Sequence, residues 1–346
     1  MSKEQLYETY EQKVNLVKEM SSYYSSDEEI DVEICNPKIM KEFTKIDQSF
    51  NLDLDIIRGI FGSHFKKAML NDDNATDILN NFYNNHPFLI PFVGKDYPKE
   101  SNKKFLYVLE SHYLPEFSDF YVNMPRKSKD KNEWLKEQWY KHDFSWKNLK
   151  SSPNREISLY REDIEYMWTE SVVKNNRKNN NRFKAMFEKM LKISISENKE
   201  IEIPIESIAF MNYFLRPAEN TGVSIEHQYI DSFFSYLNLI RVWQALGKPY
   251  IIICSAKARK SFYFYWKEHR KYLEGLKENI VDNTGFTTSA KFCLCNHPNN
   301  RSWNKPIEED KDEKDENSEW NKNDTNSEKR LEDFMISINK SFAEIA

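Results

Sequence analysis

Four short apolar runs, separated by stretches with helical periodicity, are the feature that most constrains the fold of this chain. The first run, FLYVL at 105–109, is continuously apolar and bounded by polar residues, as expected for a strand buried on both faces. Further apolar runs lie near 208–214, at 250–254 and at 292–295. Strands that alternate with helical crossovers predict an α/β protein, with a short, mainly parallel central sheet in a three-layer α/β/α arrangement.

Polar residues occupy the carboxyl end of each predicted strand. In chain order they are Glu110, Asn212, Ser255 and His297. Burying a carboxylate or an imidazole is costly unless the group finds a partner. The carboxyl ends of parallel strands share one edge of the sheet, which is where ligands bind in open α/β sheets. We therefore expect these side chains to converge on one crevice.

The rest of the chain is organised around this sheet. Apolar spacing predicts crossover helices at 226–246, ending at Gly247, and at 257–276, whereas the proline-bounded segment 84–98 is typical of a loop. The predicted units are a helical N-terminal extension at 1–100, an α/β domain at 101–304 with a basic helical insertion at about 116–200, an acidic disordered loop at 305–328 and a C-terminal helix at 329–346. The apolar stripe of that last helix consists of Leu331, Phe334, Met335, Ile338, Phe342 and Ile345.

The formal net charge of −5 is distributed unevenly along the chain. Residues 308–319 carry eight acids and two lysines, a local charge of −6, whereas 174–192 carry seven bases and one acid and 257–271 carry six bases and one acid. Basic residues interleaved with aromatic rings suit a polyanion with stackable bases, so Lys257, Arg259 and Lys260 are candidate DNA contacts. The same pattern is also typical of a solvated helix face that covers core aromatics, and charge alone leaves both interpretations open.

The four cysteines predict neither a disulfide framework nor a metal site, because they form no C-x-x-C pair. Cys293 and Cys295 alternate within an apolar run, which is typical of buried thiols. No signal-peptide pattern follows Met1, and no apolar run approaches about 18 residues. We expect a soluble, cytoplasmic protein that requires no cofactor and does not associate with a membrane.

Taken in order, the strand ends LESHY, MNYF, CSAKA and NHPNNRSW resemble the motifs of the uracil-DNA glycosylase superfamily. In that family a first motif of the type G-x-D-P-Y or G-E-x-P positions the catalytic water, a second strand ends in Asn, and a late strand ends in an H-P-S-type loop. Here Glu110–Tyr113 correspond to the first motif, Asn212 to the second and His297–Pro298 to the last. The resemblance spans about 103–304, interrupted by the insertion.

The resemblance implies a DNA repair hydrolase that flips a base out of the helix and cleaves its N-glycosidic bond. It implies that Glu110 holds the water, with His112 as an alternative base, and that His297 donates to the departing base. The residues implied to bind the base are Asn212, Ser111, Tyr113 and an aromatic among Phe117, Phe120 and Tyr121. Arg301 and Trp303 would fill the vacated stack or hold a phosphate.

The chain also departs from the family pattern in its first motif. Leu109 replaces the opening Gly, His112 replaces the Pro, and Ser111 stands where the best-known members carry the catalytic Asp. The four cysteines do not match the spacing of the iron–sulfur branch, so no cluster is expected. A second interpretation therefore stays open: a catalytically inactive protein that uses the same fold to bind nucleic acid or a nucleotide.

Overall fold

The computed structural model describes residues 89–98, 104–112, 169, 181–196, 199–218, 224–275, 285–298, 303–304 and 326–343. Their strands are β1 (Phe92–Val93), β2 (Phe105–Leu109), β3 (Lys192–Ser196), β4 (Lys199–Glu202), β5 (Ala209–Asn212), β6 (Tyr250–Cys254) and β7 (Phe292–Cys295). Their helices are α1 (Asn181–Leu191), α2 (Tyr229–Ala245), α3 (Ala256–Gly275), α4 (Phe286–Ser289) and α5 (Ser327–Ala343), and a 3₁₀ turn spans Ile205–Ser207. The described part is a mixed α/β fold.

A five-stranded sheet, ordered β1-β5-β2-β6-β7, forms the centre of the fold. Strands β5, β2, β6 and β7 are parallel, and β1 is antiparallel at the edge. The chain enters the parallel part at β2, moves to β5 on one side, and then crosses to β6 and β7 on the other side. The sequence therefore predicted the mainly parallel sheet correctly, and the β2–β6 boundary is its topological switch point.

Alternate residues of each strand point to opposite faces of the sheet, and each face has its own apolar core. On the first face, strand residues such as Leu106, Val108 and Ile253 pack with residues of α2, α3 and α4. On the second face, Tyr107, Ile252 and their neighbours pack with residues of α1 and α5. Helices therefore cover both faces, as the sequence predicted.

Two short β elements were not anticipated. Strand β1 lies in the segment predicted as a loop, and Pro91 immediately precedes it, which is compatible with an edge strand. Strands β3 and β4 form an antiparallel hairpin inside the insertion predicted as helical, where KISIS alternates polar and apolar residues. The remainder of the predicted N-terminal extension, most of the insertion and most of the acidic segment lie outside the described residues.

The predictions of the two crossover helices and of the C-terminal helix are confirmed in the described residues. Helix α2 is followed by Gly247 in the left-handed conformation, with φ of 72°. Helix α5 begins at Ser327, two residues before the predicted start, and buries the stripe of Leu331, Phe334, Met335 and Ile338; the side chains of Phe342 and Ile345 lie outside the described set. No helix in the described ranges is long and apolar enough to cross a membrane.

The predicted burial of the cysteine thiols is confirmed for the three cysteines that the structure describes. Cys254, Cys293 and Cys295 are buried and not bridged. The sulfur atoms of Cys293 and Cys295 lie 3.6 Å apart in the core beneath α5. Cys35 lies outside the described residues.

Substituting Gly94 with alanine tests the packing of β1 against the 3₁₀ turn. An added Cβ would overlap the backbone carbonyl of Glu206, while the Gly94 N–H donates to the Ile208 carbonyl at 2.9 Å. We expect Gly94→Ala to lower the free energy of unfolding by about 1–3 kcal/mol, because backbone must move to admit the methyl group. Gly275→Ala is the matched control, since nothing lies within 4 Å of its added Cβ. Equal urea midpoints for the two variants would contradict this packing.

Candidate functional site

The carboxylate of Glu110 bridges the two strand ends at the topological switch point. Glu110 directly follows β2, and its Oε2 accepts a hydrogen bond from the hydroxyl of Ser255, at 2.8 Å, directly after β6. Its Oε1 accepts from the backbone N–H of Ile225 at 3.2 Å. Ser255 is buried and Glu110 half-buried. Of the four strand-end residues predicted to converge, these two are in direct contact.

Ser255 is oriented by the helix that follows it. Its Oγ accepts from the backbone N–H of Ala258 at 3.2 Å, which is the bond an N-cap serine makes to the third residue of its helix. Its carbonyl accepts from the N–H of Arg259 at 2.9 Å. A hydroxyl can accept and donate at once, so the cap of α3 leaves the Ser255 proton for Glu110. This arrangement fixes one carboxylate oxygen without a second charged group.

The segment 224–228 crosses over the switch point and is held from two sides. The N–H of Ile225 donates to Glu110, and its carbonyl accepts from Nζ of Lys257 at 2.6 Å. Ile225 itself is fully buried in the first core. Lys257, half-buried in the first turn of α3, and Glu110 therefore bind the carbonyl and the N–H of the same residue, Ile225.

A buried ion pair anchors the same segment to α2. The Arg216 guanidinium donates from Nε and Nη2 to the two carboxylate oxygens of Asp231, at 3.0 and 2.9 Å. Nη2 also donates to the Glu226 carbonyl at 2.8 Å, and Asp231 accepts from the Gln228 N–H in a capping box. The Arg216 and Asp231 side chains are 1% and 0% exposed. Because Glu226 and Gln228 are both tied to this pair, the pair positions the residue between them.

His227 lies in this segment and is the residue that sequence reasoning missed. Its half-buried imidazole stacks on the ring of Phe214, with centroids 4.7 Å apart and planes inclined by 26°. Burial lowers the pKa of His227 from 6.5; Lys257 and Arg216 lower it further, while Asp231 and Glu110 act in the opposite direction. The imidazole is therefore neutral at pH 7, with one nitrogen able to donate and the other able to accept. Its only signal in the sequence is its place in the β5–α2 crossover.

Asn212, and the loop that carries His297, are associated with the second face of the sheet, whereas Glu110 is associated with the first. Asn212 is in register with Leu109, so the pleat directs it to the face of Phe210 and away from Glu110. The loop that carries His297 is tied to the second face, because the Asn296 N–H donates to Ser327 Oγ at 2.8 Å and Lys189 Nζ donates to the Pro298 carbonyl at 3.1 Å. Successive residues of a strand point to opposite faces of the sheet, so a difference of one residue in where a strand ends changes the face of its terminal side chain. The sequence pattern did not resolve that difference.

The other residues of the first motif are interior. His112 is buried, and its Nε2 lies 3.1 Å from Thr169 Oγ1, while its carbonyl accepts from the Ala218 N–H at 2.7 Å. Ser111 is also buried. The His112 imidazole is thus buried and engaged by a threonine, and its role as the alternative base stays a prediction. Tyr113, Phe117, Phe120, Tyr121 and Arg301 lie outside the described residues.

The candidate DNA contacts differ in exposure. Lys260 is exposed on α3, whereas Arg259 is 3% exposed and Trp303 is 2% exposed. Arg259 faces inward, and Trp303 belongs to the second core. Neither side chain is accessible to a macromolecule in this fold, contrary to their prediction as DNA contacts.

In the part of the chain that the structure describes, no group of three His, Cys, Asp or Glu side chains is placed to hold a metal ion. A scan against protein-family models, a search of curated proteins and a search of solved structures found no match to this chain. Function is therefore argued from the geometry around Glu110. That geometry combines a fixed carboxylate, a neutral imidazole and an ammonium group at the β2–β6 switch point.

Proposed function

We propose that this protein has a uracil-DNA-glycosylase-like fold, binds DNA, and hydrolyses the N-glycosidic bond of uracil or a modified base after base flipping. One observation carries the proposal: the Glu110 carboxylate is fixed by Ser255 and Ile225 at the switch point, where α/β sheets bind ligands. The order of strand-end motifs along the chain supplies the choice of reaction. The parallel sheet with helices on both faces is compatible with it.

Glu110 takes the role of orienting the attacking water. Each of its oxygens accepts one hydrogen bond from the protein, and each retains a further lone pair for a water molecule. A carboxylate that receives a proton from water as the bond to the sugar forms contributes typically about 10²- to 10⁴-fold to the rate. The fixed orientation matters because reacting atoms must be aligned before the step begins.

His227 and Lys257 take the role of stabilising the departing base. Negative charge collects on a base oxygen as the N-glycosidic bond breaks, and fixed donors or cations stabilise that charge. Neutral His227 donates a hydrogen bond without repelling the Lys257 ammonium, and its ring is held by the stack on Phe214. In this proposal His227 carries the function that the family resemblance assigned to His297.

A second candidate is a catalytically inactive protein that binds nucleic acid or a nucleotide through the same site. The observation that favours it is the first motif, in which Ser111 replaces the usual Asp and is buried together with His112. Among the described residues of this motif, 110–112, Glu110 is the one that bonds Ser255 at the switch point. The two candidates differ in whether a bond is broken.

A base-excision assay separates the candidates. The full chain is incubated with oligonucleotides that carry uracil or one of a panel of modified bases, and abasic sites are detected as strand scission after alkali. We expect scission of at least one substrate at pH 7 and above, where the lowered pKa of His227 keeps its imidazole neutral. Unmodified oligonucleotides of the same sequence are the control.

Two outcomes would contradict the proposed excision. Salt-dependent DNA binding without scission of any substrate would support the inactive candidate. Failure to bind any oligonucleotide at low salt, together with no scission, would contradict both candidates.

A further inference from the structure

Two large apolar side chains stand out from the rest of the described residues by their exposure. Tyr229 is 51% exposed at the first residue of α2, and Phe264 is 48% exposed in the middle of α3. Tyr265 connects their positions, since its hydroxyl donates to the Tyr229 carbonyl at 3.5 Å and its ring meets that of Phe264 edge-on at 5.3 Å. The two exposed rings therefore belong to one region of the surface.

Lysines surround Phe264 along the same helix. Lys257, Lys260, Phe264, Lys267 and Lys271 recur at three- and four-residue spacing, which places them on one side of α3, here called the α3 face. Lys260 and Lys271 are exposed, and Lys257 and Lys267 are half-buried. Glu268 neighbours this face and pairs with Lys271 at 3.0 Å. The face carries four lysines around one exposed aromatic ring, so it is complementary to a polyanion.

The α3 face is continuous with the candidate site. Its first residue, Lys257, bonds the carbonyl of Ile225, whose N–H bonds Glu110. Tyr229 lies two residues beyond His227 in the same stretch of chain. A ligand that lies along α3 with its end at Lys257 is therefore separated from the fixed carboxylate by one residue, Ile225.

We propose that the α3 face and Tyr229 bind single-stranded nucleic acid, with bases stacked on Phe264 and Tyr229 and phosphates neutralised by the lysines. The reasoning is chemical: exposed rings beside cations bind unstacked bases, whereas a duplex hides its base faces and meets only the lysines. This inference rests on the proposed function in one respect: the bound nucleic-acid strand leads to Glu110. It makes the substrate a single strand or an opened region of a duplex.

The test measures binding of a fluorescent mixed-sequence single-stranded oligonucleotide and of its duplex by anisotropy at several salt concentrations. Stacking on one ring is worth a factor of about 5 to 150 in affinity, so Phe264→Ala and Tyr229→Ala should each weaken single-strand binding within that range and affect the duplex much less. Phe264→Trp should retain binding, because it keeps an aromatic face. Lys260→Ala should reduce the single-strand salt slope by about 0.7, whereas Lys329→Ala on α5, also exposed, should not.

Three results would overturn the inference. The first is wild-type affinity for the single strand in the Phe264→Ala, Tyr229→Ala double variant, with unchanged thermal unfolding. The second is equal loss of single-strand and duplex binding in that variant. The third is binding of polyglutamate that depends on the lysines but not on Phe264, without binding of the oligonucleotide, which would assign the face to an acidic protein partner.

The failure of this inference can be told apart from that of the proposed function. Excision that persists in the double variant at the wild-type rate and affinity refutes the stacking surface and leaves excision intact. Single-strand binding that depends on Phe264 and Tyr229, in a protein that excises no base, supports the stacking surface and refutes excision.

Discussion

Replacing Arg216 with methionine is expected to lower the free energy of unfolding by about 3–5 kcal/mol, because it removes the cation that neutralises a buried carboxylate. Asp231 is 0% exposed and accepts two hydrogen bonds from the Arg216 guanidinium. Its bond from the Gln228 N–H remains in the variant but does not supply a compensating charge. Urea unfolding followed by circular dichroism gives the difference directly.

The double variant Arg216→Met, Asp231→Leu is the matched control. It removes both charges, so it is expected to regain part of the lost stability, although the capping-box bond of Asp231 is lost as well. Arg270→Met is a second control, because Arg270 pairs with Glu274 on the surface, and exposed pairs contribute at most about 1 kcal/mol. A single variant at position 216 that unfolds at the wild-type urea concentration would show that the pair does not hold the segment that carries His227.

The four parallel strands could be predicted because each one is buried over nearly its whole length. A continuous apolar run such as FLYVL does not suit an element with one wet face, and its length is that of a strand. Helical spacing between the runs then requires crossovers, and crossovers require parallel strands. The sheet and its helix layers follow from these two constraints.

Which strand-end side chains meet could not be predicted in the same way. It depends on the face of the sheet to which each of them points. Leu109 and Asn212 are in register, so Glu110 and Asn212 point to different faces although both close a strand. The same applies to the helix: Arg259 is buried and Lys260, the next residue of α3, is exposed, and the sequence did not indicate which of the two faces the core. Residue type alone does not indicate the direction in which such a side chain points.

His227 was missed for a different reason. It belongs to no strand end and to no motif, and its place depends on contacts that Arg216, Asp231 and Lys257 make with the residues on either side of it. Those partners are spread over more than forty positions of the chain (257 − 216 = 41). A contact set of that kind is fixed by folding of the whole domain and has no local signature.

Glu110→Gln is expected to reduce the single-turnover rate of base excision by about 10²- to 10⁴-fold, the range for loss of a positioned general base. The substitution keeps the size of the side chain and one acceptor oxygen, so the fold and DNA affinity should persist, while the amide no longer accepts a proton from water. Glu188→Gln, on an exposed part of α1 across the sheet, is the matched control and should excise at the wild-type rate. The rate is followed on the substrate found in the excision assay, with thermal unfolding measured in parallel. An unchanged rate in a folded Glu110→Gln variant would place the chemistry elsewhere and remove Glu110 from the reaction, because no other carboxylate of the first motif is available to take its part.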